Sequence, residues 1–431
     1  MTQKSLLNPI IHEKIHFFAI ICVVITMNFL NKPAFLSISM IIAAVNWILA
    51  NNFKEKIQLT KKKPIIWIAG AFLLLYGLSI LYSENKEEAL SDLQLKLPIF
   101  LCPLMFLTSP KFSKKQLNII FYAFIMALFV GVILSFFVAF KKNYAQNQLE
   151  IIIPSFFFYH AISFGFGHAG YHSIYIIVAI LIFFNKILHE NPPKKMLISF
   201  ILLIIVFGVF LLFLSSRMPI MLFFLLIASK IIYFIIKSKK YIIGFGVIGV
   251  ILLVFVGFLN YSETGKRRFA YILSSFNKEN LMNTDGTKDN SLTHNWDGIP
   301  LRIALVELSI NAIENNTFTE FLFGVGSGDT KKAIIQAGKR QKVAFIWQYN
   351  NYNIHNQYLE TLLGTGILGF CLLLMFLYLH FKEAIYQKNW LYINVMLLLS
   401  FYFLTEASLS VQQGVAIFGI FPCLFQITKK E

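Results

Sequence analysis

Charge is scarce in this chain. Only 14% of its 431 residues are Asp, Glu, Lys or Arg, while 57% are hydrophobic. A soluble domain of that length needs a far more polar surface, so the composition excludes an ordinary soluble enzyme. Cysteine is nearly absent as well. Cys22, Cys102, Cys371 and Cys423 all fall in apolar runs, without metal-ligand or disulfide-framework spacing, and read as small buried residues. There is no Asp-x-Asp pair and no His/Cys cluster, so no divalent-metal site is expected. Internal repeats are lacking, and the first apolar run leads into "NKPAFL" rather than a small-residue cleavage site, so it reads as a retained span.

What the chain has in quantity is phenylalanine, 46 residues of it, in apolar runs near 20 residues long. That length crosses a hydrocarbon core about 30 Å thick. The pattern reads as an all-α polytopic membrane protein with about 12 transmembrane helices, near 15–31, 34–50, 65–82, 97–110, 117–140, 171–188, 197–214, 219–236, 241–259, 355–381, 390–404 and 412–428. Residues 1–259 then carry spans one to nine, 260–354 form one large, partly helical external loop, and 355–431 carry the last three spans.

The formal net charge is +17, and its distribution decides its meaning. With the N-terminus inside, the cytoplasmic turns and termini hold 20 Lys and Arg, while the short external turns hold 6, among them Lys96 and Arg217. That asymmetry is the positive-inside rule, and it places both termini in the cytoplasm. The basic balance is therefore topology rather than a nucleic-acid surface. The large loop, with 11 Lys/Arg against 9 Asp/Glu, is nearly neutral.

Two connections are long. Residues 141–170 read as an external segment with a middle apolar enough to dip into the membrane interface, and 260–354 are long enough to carry function. Within the latter, the polar tract 277–298 is expected to be flexible, and "PLRIALVELSINAIENN" reads as an amphipathic helix opened by Pro300. Glu307, Asn311 and Glu314 share one face of it, while Arg302 lies opposite with Val306, Ser309 and Ile313. The "GVGSGD" that follows reads as a turn, since the strand–turn–helix setting of a phosphate cradle is missing.

Three residues stand out chemically. Arg217, in "LLFLSSRMPIMLFF", is a charge among apolar residues, and either serves function or snorkels to the interface. Arg302 either meets a substrate or packs on lipid headgroups. His355, in "YNIHNQYLETLLGTGILG", enters a span with Leu359, Leu362 and Gly366 on its face and Glu360 pointing away; it is either a reactive group or an interfacial cap. His168 and His172 open the sixth span with the same two readings. Two arginines and a histidine at one membrane face suit group transfer from a lipid diphosphate to an alcohol. Arginines hold phosphate bidentately and offset the charge of the leaving group, and a neutral histidine accepts the proton of the attacking hydroxyl.

Three stretches resemble the O-antigen ligase/polymerase family: "SSRMPI", "LRIALVELSINAI…FLFGVGSGD" and "HNQYLETLLGTGILG". The resemblance implies a C-type glycosyltransferase-like fold in the bacterial inner membrane, with the active site facing the periplasm and neither metal nor cofactor. It implies an undecaprenyl-diphosphate-linked glycan as donor, surrounded by membrane lipids. Carried over, His355 becomes the general base and Arg217 and Arg302 hold the diphosphate, with His172, Arg268 and Asn356 as candidate further contacts. Met218 departs from the family pattern, where a small residue commonly follows the arginine. Ligation of O-antigen to lipid A-core is the leading expectation. A polymerase joining lipid-linked repeat units and a protein O-oligosaccharyltransferase are the alternatives within the same chemistry. A transporter of lipid-linked sugars is the alternative outside it, disfavoured because the reactive residues cluster at one face without repeated halves.

Overall fold

Proline and asparagine open most of the helices. In the computed structural model, which describes residues 8–29, 32–50, 52–145, 157–164, 167–238, 299–341 and 353–427 with isolated helical positions at 246, 249, 253 and 257, every regular element among the described residues is helical. Helices α1 (Pro9–Thr26), α2 (Pro33–Leu49) and α4 (Pro64–Tyr82) begin on a proline, whose missing N–H has no partner to lose in a first turn. The side chains of Asn8 and Asn85 cap α1 and α5 (Lys86–Leu107). Between α2 and α4 lies a nine-residue basic helix, α3 (Phe53–Lys61), which the apolar pattern does not anticipate.

Among the described residues, seven helices are long and apolar enough to cross a membrane: α1, α4, α5, α6 (Lys114–Ala145), α7 (Ala169–His189), α8 (Lys194–Leu214) and α13 (Gln357–Tyr386). Counting α2 and α3, bent by 109° at their junction, as one span gives eight. Three shorter apolar helices follow the same pattern: residues 217–229 of α9 (Arg217–Ser238), α14 (Trp390–Tyr402) and α15 (Gln412–Leu424). The expected span 241–259 and the tract 277–298 lie outside the described residues, isolated positions of the former apart. The chain is a polytopic, all-helical membrane protein.

Helix α7 is the central one. Of its apolar window, 78% is buried, against 28–44% for the other candidate spans. Lipid can cover an apolar helix in a bilayer as well as protein can; here protein does, and α6, α8, α9, α14 and α15 pack on it. The expectation that put Lys96 on an external turn is corrected here. Helix α5 begins at Lys86 and holds Lys96 in its interior, 1% exposed, ion-paired with Asp92 one turn away and with its Nζ 4.5 Å from the Tyr76 ring. The pairing makes a buried ammonium tolerable, and removing Lys96 from the external count sharpens the charge asymmetry.

Among the described residues, the stretch expected as the large loop holds three helices: α10 (Ile299–Glu314), α11 (Phe318–Phe323) and α12 (Thr330–Arg340). The first is the arginine helix expected from the sequence. It buries Leu301, Ala304, Leu305, Leu308 and Ala312 against Ile334 and Ala337 of α12 and against Ile354 and Leu363. A capping box, Thr317 with Glu320, starts α11.

Candidate active site

Two glycine motifs far apart in sequence lock the loop onto the membrane helices. Helix α13 is broken at Gly366, where φ is 66° and ψ −171°, and the break frees carbonyls of its first half. Val325 N donates to Leu363 O at 2.9 Å and Gly326 N to Gly364 O at 3.2 Å, so "GVGSGD" satisfies them. The approach needs glycine on both sides. Gly324 (φ 81°) has no room for a Cβ against the Gly364 carbonyl, and Gly366 has none against the Leu322 carbonyl. Asp329 then receives the backbone N–H groups of Glu84 and Asn85 at 2.7 and 3.1 Å, and Lys331 pairs with Glu88 at 2.6 Å. The glycine turn is thus a docking element, held to the α4–α5 corner and to α13.

That docking sets up the histidine. Glu360 accepts from Thr330 Oγ1 at 3.0 Å and from Ile354 N at 3.1 Å, tying the residue before His355 to the loop. Asn356 caps α13 through Leu359 N at 3.1 Å and donates to Leu404 O at 3.1 Å. Gln357 N donates to Phe403 O at 2.8 Å. His355 itself sits at φ 53°, a left-handed conformation that persists only where surroundings enforce it. These bonds fasten the start of α13 to the end of α14.

The same fastening delivers a residue that the sequence reading omits. Glu406, 5% exposed at its side chain, lies between Arg302 and His355: one oxygen is ion-paired with the Arg302 guanidinium, the other lies 3.1 Å from His355 Nδ1. Burial alone raises this carboxyl. The hydrogen bond from His355 and the Arg302 guanidinium outweigh it and hold Glu406 below the usual carboxylate range. An ionised Glu406 requires the proton on His355 Nδ1, which assigns the lone pair to Nε2. That is the tautomer a general base needs, oriented by a carboxylate in the manner of a catalytic triad. Arg302, with its side chain 30% exposed, keeps guanidinium donors beyond the one spent on Glu406.

The remaining sequence candidates fall as follows. Arg217 is the first residue of α9, which packs on α7 and α14; the left-handed Ser215 (φ 47°) makes the tight corner before it. Asn356 is the α13 cap just described. His172 is fully buried in α7, 3.1 Å from Ser163 Oγ and against the Phe210 ring at 5.0 Å. Arg268, with its neighbour Arg267, lies outside the described residues. Among the described residues, no three His, Cys, Asp or Glu side chains gather as metal ligands do.

Helices of the bundle and the docked loop thus bring a histidine, a carboxylate and one arginine together, and this cluster is the candidate site. The family model described as O-antigen ligase matches residues 202–374, a stretch that contains Arg217, Arg302 and His355. Over those residues, fewer than half of the chain, the protein is similar to that family. No curated protein matches the chain.

Proposed function

We propose that the protein transfers a glycan from undecaprenyl diphosphate to an acceptor hydroxyl at the outer face of the bacterial inner membrane, without a metal, the leading case being ligation of O-antigen to lipid A-core. The observation that carries this reading is the Arg302–Glu406–His355 cluster at the loop-covered end of the bundle. The acceptor oxygen attacks the anomeric carbon while His355 Nε2 takes its proton. The bond from that carbon to the diphosphate oxygen breaks, and the electron pair leaves with undecaprenyl diphosphate. Arg217 and Arg302 offset the charge that develops there. The imidazolium formed faces the Glu406 carboxylate, which stabilises it. The orientation rests on the Lys/Arg asymmetry, which favours the loop on the periplasmic side and both termini within.

The test offers purified enzyme a lipid-diphosphate glycan, with lipid A-core and a second donor molecule as competing acceptors, in the presence of chelator. One glycan on lipid A-core, lost in Arg217→Ala, Arg302→Ala and His355→Ala, is the expected result. A ladder of donor-linked repeats makes the protein a polymerase with the same site. Absence of both products, or dependence on a divalent metal, overturns the reading.

A further inference from the structure

Helix α7 meets the site end-on, and imidazoles take the first two N–H groups of its opening turn. Ala169 N donates to His160 Nδ1 at 3.0 Å and Gly170 N to His168 Nδ1 at 3.2 Å. An Nδ1 that accepts carries no proton, so neutral His168 holds its proton on Nε2. His355 carries the opposite tautomer. The site thus pairs a base with a fixed donor. Burial lowers the pKa of His168 and keeps it neutral; Glu406 opposes this, while Arg302 and His355 reinforce it. All three therefore lie within electrostatic reach of the ring.

Beside His168 stands a hydroxyl without a bond. Tyr402 Oη is buried and has no hydrogen-bond partner among the described residues. It lies over Gly170, where a Cβ would collide with it, and that same Cβ would sit 3.1–3.2 Å from the His168 ring. Glu406 and Arg302 act on Tyr402 as well, so the hydroxyl belongs to the same neighbourhood. Leaving a buried hydroxyl unbonded is costly, and a ligand oxygen removes the cost. Two donors at the positive end of a 21-residue helix suit an oxyanion with several acceptor atoms, and the Tyr402 carbonyl accepts from the N–H of Glu406, the partner of Arg302, at 3.0 Å.

We propose that His168 Nε2 and Tyr402 Oη are further donor-binding groups, hydrogen-bonding oxygens of the lipid-linked diphosphate alongside Arg302. The inference rests on the transfer reaction proposed above and assigns the anion to the glycan donor rather than to a phosphorylated acceptor.

The discriminating variants are His168→Asn and His168→Gln. Asparagine reproduces the Nδ1 acceptor and caps a helix well, but removes the outer N–H. Glutamine reaches outward and restores an N–H near the Nε2 position. A purely capping histidine is replaced by asparagine without consequence; a diphosphate-binding one is not. The measurements are KM for donor and for acceptor, and direct calorimetric binding of inorganic pyrophosphate, which needs no turnover. His168→Asn is expected to melt like the wild type yet raise the donor KM and the pyrophosphate Kd at least about tenfold, as loss of a hydrogen bond to a charged group does. The acceptor KM stays unchanged. His168→Gln recovers most of the loss, and Tyr402→Phe weakens pyrophosphate in the same sense. Weakened pyrophosphate binding in an enzyme that transfers no glycan upholds the anion site and sinks the transfer reading instead. Wild-type donor KM and pyrophosphate Kd in His168→Asn, or an effect on acceptor KM alone, overturns the inference.

Discussion

Replacing Glu406 by glutamine keeps the shape of the side chain and inverts half of its hydrogen bonding. The carboxylate offers two acceptors, one to Arg302 and one to His355 Nδ1. An amide offers one acceptor and one donor. If its oxygen faces Arg302, its NH2 faces His355 and forces the imidazole to accept at Nδ1. The proton then moves to Nε2, and the base is lost. If the oxygen faces His355, an NH2 group is pressed against the guanidinium in a site where Glu406 is 5% exposed. The first arrangement avoids that repulsion. Losing a positioned general base costs about a hundredfold to ten-thousandfold in kcat. The folding cost is smaller: one charge-assisted hydrogen bond, about 1.5–3 kcal/mol at most, reduced because Arg302 is 30% exposed. Glu406→Gln is therefore expected to stay folded at 25 °C, to lower kcat by at least about a hundredfold, and to leave donor KM within a few-fold. Purified variant, thermal melt and single-turnover transfer measure all three. A kcat within threefold of wild type refutes the assignment of Glu406 as the group that sets the histidine tautomer.

Two further outcomes follow from the same geometry. Gly324→Ala introduces a Cβ against the Gly364 carbonyl at a φ of 81°; backbone strain of about 1–3 kcal/mol plus the clash loosens the docked turn, so faster proteolysis within 299–341 and reduced transfer are expected, and a wild-type cleavage rate contradicts the docking role. Burial lowers the pKa of His168 from 6.5, so below that value the unfolded chain binds a proton that the folded one refuses, and stability falls as pH drops. Melting temperatures between pH 7.5 and 5.5 check the sign, and His168→Asn is expected to flatten that slope.

Much of this was readable in advance, for identifiable reasons. Apolar runs near 20 residues long announce membrane helices because length alone meets the bilayer. Arg302 announces itself because a guanidinium on the less polar side of an amphipathic helix is out of place. Glu406 carries a similar signal, being the one carboxylate between Glu383 and Glu431, yet its role needs a partner 51 residues away. No local pattern reports that pairing. The glycine turn is legible as a turn but not as a clasp, because the clasp exists only where "GVG" meets the break in "GTG". Lys96 misleads for the opposite reason: an ion pair with Asp92 hides a charge inside a helix that hydropathy starts too late.

The measurement that bears most directly on the account is single-turnover transfer by folded His355→Ala, with the donor in excess of its Kd and chelator present, over pH 6 to 9. His355→Ala is expected to be slower than the wild type by at least about a hundredfold at every pH in that range. Transfer by His355→Ala at the wild-type rate would contradict the account.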